Sequence, residues 1–79
     1  MARPISDIAR DIGRAWDKPN FAAKPYLDAM RSIYSVDDAY GYDSGKSVVL
    51  YFLSNASMFR GEAAKALKAE LKAALKESA

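Results

Sequence analysis

Apolar residues recur along this 79-residue chain at helical rather than strand spacing. Ile5, Ile8, Ile12 and Trp16 follow one another at intervals of three, four and four, which puts them on one stripe of a helix. Ser6 is the predicted N-cap, with Asp7 in the first turn and Arg14 in the last, where each charge complements the helix dipole. Gly13 interrupts this helix and weakens its interior by about 1 kcal/mol relative to alanine. The polar Asp17-Lys18-Pro19-Asn20 ends it.

A second helix is predicted to start at Pro25, since proline suits the first helical position and disfavours a helical Lys24 before it. It reads PYLDAMRSIY, with Leu27, Met30 and Tyr34 on one face, Tyr26 and Ile33 beside them, and Asp28 and Arg31 pointing outward. Ser35 followed by Asp38 resembles a capping box with aspartate in the glutamate place, giving one short turn closed by Gly41. The third helix, about Ser44 to Ser54, holds the run Val48 to Leu53 and is apolar on nearly every side, as a central bundle helix would be. A strand is the competing reading of that run, but no partner strand is predicted to pair its backbone groups. After Asn55-Ala56-Ser57 the chain reads FRGEAAKALKAELKAALKES, dominated by the strongest helix formers. Ala64, Leu67, Leu71, Ala74 and Leu75 form its apolar stripe, and Gly61 near its start would let it approach the third helix or merely occupy the first turn. The prediction is an all-α bundle of three to four helices forming a single domain, residues 1–79.

The stretch Gly41-Tyr42-Asp43-Ser44-Gly45-Lys46-Ser47 ends like a nucleotide-binding P-loop. That motif needs four residues between its first glycine and the Gly-Lys pair so that successive amides can wrap the phosphates, and here there are three. It also follows a buried strand, which Ser35 to Tyr40 does not resemble. The preferred reading is a helix start capped by Asp43 or Ser44.

Composition narrows the chemistry. The chain is 51% apolar and 28% charged, as a globular domain is, and it contains neither histidine nor cysteine. The usual zinc ligands, thiolate nucleophiles and commonest general base are therefore missing. No catalytic constellation, cofactor site or metal site can be assembled, and a non-enzyme is expected. The apolar run is far too short for a membrane span, and no signal-peptide core opens the chain, so a cytoplasmic location is expected. The net charge of +2 is bipolar. The ends are basic, while the middle holds Arg31 against Asp28, Asp37, Asp38 and Asp43, a pattern that favours oriented protein contact.

Lys65, Lys68, Lys72 and Lys76 repeat along one side of the last helix and, with Arg60, could follow a nucleic-acid backbone. The ordinary reading is a solvated face diluted by Glu62, Glu70 and Glu77. A helix-turn-helix formed by the last two helices fits poorly, because Met58, Phe59, Arg60 and Gly61 occupy the place of base-reading side chains. Asp37, Asp38 and Asp43 could gather round a hard cation, but the spacing of a calcium loop is absent, and capping explains them better. Among the aromatics, Tyr40 and Tyr42 are expected to be exposed, with Trp16 and Phe59 at helix ends. Tyr40, Tyr42, Phe59 and Arg60 are the candidate anchors for a protein partner.

PYLDAM, DSGKSVVLYFLSNAS and FRGEAAKALKAELKAAL resemble segments of a group of small proteins encoded by actinobacterial bacteriophages and prophages. The resemblance covers most of the chain and implies a phage product made in the host cytoplasm, without implying an activity or a ligand. The expected function is a non-enzymatic module that binds a host or phage protein. Its small size and complementary charge further predict a homodimer through the third and fourth helices. The alternative is weak nucleic-acid binding by Arg60, Lys65, Lys68, Lys72 and Lys76.

Overall fold

In a computed structural model the described residues are 3–40 and 43–77. Four helices, α1 (Ile5–Ala15), α2 (Lys24–Met30), α3 (Gly45–Asn55) and α4 (Glu62–Glu77), make an all-α bundle. Two two-residue segments, β1 (Ala39–Tyr40) and β2 (Asp43–Ser44), pair antiparallel in front of α3, with Ala39 opposite Ser44 and Tyr40 opposite Asp43. One hydrophobic cluster joins all four helices. α4 packs chiefly on α1, and α3 chiefly on α2, while α3 and α4 touch less.

The isoleucine stripe of α1 is buried as its spacing predicts. Ser6 is not the cap, however. Pro4 stands at the N-cap with an extended backbone and no side-chain cap, and the Ile5 amide donates instead to the Tyr34 carbonyl at 2.9 Å. A tertiary acceptor thus starts the helix one residue before the local capping signal, and Ile5 enters the core. Arg3 then clamps this end: it makes a two-pronged pair with Glu70 of α4, both bonds 2.8 Å, and reaches Asp11 of α1 at 2.7 Å.

Helix α2 starts at Lys24, with Pro25 in its first turn. It ends at Met30, four residues before the predicted Tyr34. The amides of Arg31, Ser32 and Ile33 bond carbonyls three residues back, a tightening that closes the helix. Ile33 is consequently buried, but Tyr34 swings into solvent rather than joining Leu27 and Met30. Of the predicted capping box one half forms: the Asp38 carboxylate reaches back to the Ser35 amide, while the Asp38 amide bonds the Ser35 carbonyl rather than its hydroxyl. Asp38 accepts from the Tyr34 and Ser35 amides at 3.0 Å each, and Ser35 Oγ accepts from the Asp37 amide at 3.1 Å. Gly41, expected to close this turn, lies outside the described residues.

The run Val48 to Leu53 is helical, and Val48, Val49 and Phe52 are buried. α3 is less central than its composition predicts. It packs on α2 and, less closely, on α4, and Leu50 and Tyr51 face outward. α4 buries Ala64, Leu67, Leu71 and Ala74, with Leu75 partly covered. Its start comes after Arg60, and Gly61 has a different role from close packing: its φ is +110°, and a Cβ there would meet nothing within 4 Å. Glycine is needed for that left-handed backbone, from which the Gly61 carbonyl accepts the Lys65 amide.

Candidate interaction surface

The Gly-Lys-Ser segment is a capped helix start. Ser44 is the N-cap, and its Oγ accepts from the Ser47 amide at 3.1 Å. The Gly45 and Lys46 amides donate to the carbonyls of Asp38 and Val36 at 2.6 and 2.8 Å. The three amides that would face a phosphate therefore already have partners. Gly45 serves packing instead: a Cβ there would lie 2.8 Å from the Ser35 carbonyl oxygen and 3.1 Å from Val36 Cα.

The lysine row is uneven. Lys65, Lys72 and Lys76 are exposed, but Lys68 is partly buried. It donates to the Phe59 carbonyl at 2.7 Å and holds its ammonium 5.7 Å from the centroid of the Phe59 ring. Burial, then the neighbouring charges of Lys72 and Arg60, lowers its pKa below that of a free lysine. It acts as a bolt between α4 and the loop before it. That loop spans residues 56–61, longer than the turn of a helix-turn-helix, and α3 and α4 meet only sparsely.

Asp38 is occupied with two amides, as a capping role predicts. Among the described residues no group of acidic side chains could hold a metal ion.

Of the four candidate anchors, Phe59 is corrected outright. It is 3% exposed, stacked on Trp16, and belongs to the core. The loop from Ala56 turns it inward, since the Phe59 amide bonds the Ala56 carbonyl at 3.0 Å. Arg60 is exposed, with its Nε directed to the Ser57 carbonyl at 3.4 Å. Tyr40 lies in β1, and Tyr42 falls outside the described residues.

Other apolar side chains take the exposed places. Leu50 and Tyr51 are 49% and 50% exposed on adjacent positions of α3, and the Tyr51 ring lies 5.4 Å from that of half-buried Tyr26 on α2. Ser47 and Ser54, a turn to either side, share that face of the helix. Tyr34, Phe21 and Met58 are also exposed. A signal for Leu50 and Tyr51 was present in the sequence: a helix apolar all round in so small a bundle lacks enough neighbours to cover every side. Which side stays open depends on where α2 and α4 settle.

Comparison with protein-family models, with curated proteins and with solved structures found no match for the chain.

Proposed function

We propose that this protein is a non-enzymatic protein-binding module, and that the outer face of α3 is its docking surface. The observation that carries this reading is the uncovered Leu50 and Tyr51, backed by Tyr26 across the α2–α3 seam. Partly exposed aromatic and aliphatic side chains on a rigid helix are suitable anchors, because little side-chain freedom is lost when a partner covers them. Arg60, on the loop before α4, is exposed as well. The resemblance of PYLDAM and DSGKSVVLYFLSNAS to small actinobacterial phage proteins supports a phage origin, a host or phage protein as partner, and the host cytoplasm as the place of action. Among the described residues no helix is long and apolar enough to cross a membrane.

The proposed homodimer would use the same α3 face. Leu71 and Leu75 are unsuitable as its contacts, the first being fully buried within the chain and the second partly so. The nucleic-acid alternative, with Arg60, Lys65, Lys68, Lys72 and Lys76, has less support because Lys68 is already bonded to the Phe59 carbonyl.

Affinity capture from an actinobacterial lysate tests the reading when the parent is compared with a Leu50→Glu, Tyr51→Glu double variant whose circular dichroism matches it. A protein retained by the parent at about 0.5 M salt, where phosphate contacts are largely screened, and lost by the variant is expected. Equal capture by both would refute this surface. Sedimentation equilibrium separates the dimer: a mass held at 8.7 kDa over the concentration range excludes self-association.

A further inference from the structure

Gly13 occupies the middle of α1, where alanine would make a stronger helix. The structure gives a reason for it. A Cβ at Gly13 would lie 2.6 Å from Nη2 of Arg31 and 3.6 Å from its Cζ, so the guanidinium at the end of α2 rests against the backbone of α1. There it lines a cavity of about 350 Å3 together with Ser6, Arg10, Gly13 and Arg14. Positions 6, 10, 13 and 14 share one face of α1, so two helices contribute three guanidinium groups to one hollow.

The charge of that hollow is poorly balanced. Arg10 approaches Asp7 at 3.5 Å and Arg14 approaches Asp11 at 3.9 Å, both longer than a charge-assisted hydrogen bond. The other Asp11 oxygen is held by Arg3 at 2.7 Å. Arg31 forms no ion pair among the described residues. Arg10 and Arg14 also stand one helical turn apart, a like-charge spacing that disfavours the helix. Gly13 weakens the helix, and the like-charge spacing of Arg10 and Arg14 offsets part of what Arg14 gains at the C-terminal end of the helix dipole.

We infer that this cavity binds a small phosphate monoester, its dianionic phosphate seated among Arg10, Arg14 and Arg31 with the Ser6 hydroxyl as a further donor. Guanidinium forks match phosphate oxygens in shape and charge. Arginines converging from two helices suit a terminal dianion, whereas a polynucleotide backbone, with one charge per phosphate, is met by cations arranged along a track. The cavity volume falls in the range of small-ligand sites and leaves room for an organic portion. This site is independent of the α3 surface.

The test titrates the 15N-labelled chain with phenyl phosphate, inorganic phosphate and sodium chloride at matched ionic strength, following backbone amides and arginine Nε–H signals. Phenyl phosphate should give saturable shifts centred on Ser6, Arg10, Gly13, Arg14 and Arg31, with inorganic phosphate weaker at the same positions. Arg31→Gln should weaken binding roughly tenfold, the loss expected for one charged donor. Gly13→Ala supplies the second arm: by strengthening the helix and displacing Arg31, it should raise the melting temperature while weakening the ligand several-fold. Shifts that follow ionic strength without saturating, or that centre on Lys65, Lys72 and Lys76, would overturn the inference. So would either variant binding phenyl phosphate as the parent does. A single-stranded DNA oligonucleotide that saturates the same residues more tightly, and weakens steeply with salt, would overturn the assignment to a monoester.

Discussion

Trp16 stacks on Phe59 with ring centroids 5.0 Å apart and planes 14° from parallel, and its indole meets Phe52 edge-on at 6.2 Å. The C-cap of α1, the middle of α3 and the loop before α4 thus meet in one aromatic cluster. Lys68 covers its outer side, above the Phe59 ring. Truncating Phe59 or Phe52 to alanine should cost about 3–5 kcal/mol, a large fraction of what a domain of this size holds in total. Urea denaturation followed by Trp16 fluorescence measures it, and a Phe59→Ala variant within about 1 kcal/mol of the parent, the effect of an average substitution, would remove Phe59 from the core.

Gly45→Ala should destabilise the fold by about 1–3 kcal/mol, because the added methyl meets the Ser35 carbonyl and the backbone at Val36, neither of which can rotate away. In the parent protein, magnesium with ATP or GTP should leave the melting temperature unchanged, since a ligand raises it only by binding the folded state and the amides of residues 45–47 already have partners. A saturable rise with nucleotide would contradict the capped helix start.

Lys68→Ala should cost about 1–2 kcal/mol by leaving the Phe59 carbonyl without its donor, while Lys72→Ala, on the exposed side of the same helix, should stay within about 0.5 kcal/mol. Equal small effects, read from the same denaturation curves, would return Lys68 to the solvated row.

The Arg3 hydrogen bond holds the Asp11 carboxyl below the usual aspartate range. A folded-state pKa lower than the unfolded one contributes stability that is fully present above the unfolded value and is lost as pH falls through the folded value. The melting temperature should therefore drop as the solution is acidified through and below the ordinary aspartate pKa, and Asp11→Asn should flatten that part of the profile. The group is exposed, so the change will be small and reduced by salt. A variant whose pH profile superimposes on the parent's would remove Asp11 from the acid response.

Features set by neighbours in sequence were legible before the fold was known. The isoleucine stripe of α1, the apolar stripe of α4, the Ser44 cap and the reach of the Asp38 carboxylate back to the Ser35 amide each depend on residues within a few positions of one another, where chain geometry leaves few alternatives. The helical state of Val48 to Leu53 followed from the lack of a partner strand. Tertiary structure decided the rest. The Tyr34 carbonyl became an acceptor for Ile5 because α2 closed early, and that choice both displaced Ser6 as a cap and exposed the Tyr34 ring. Phe59 looked like a surface residue at a helix end until the loop turned it onto Trp16, a partner distant in sequence. Periodicity showed that α3 was apolar all round, but the exposure of Leu50 and Tyr51 depended on how α2 and α4 divided its circumference. The same holds for Gly13 and Arg31. Local propensity registers only the weakness of a glycine in a helix, while its reason is a guanidinium delivered from another helix. Local pattern governs backbone state because it acts through the nearest hydrogen bonds and side-chain faces; coverage and charge convergence depend on which surfaces pack together, and that is settled only when the helices meet.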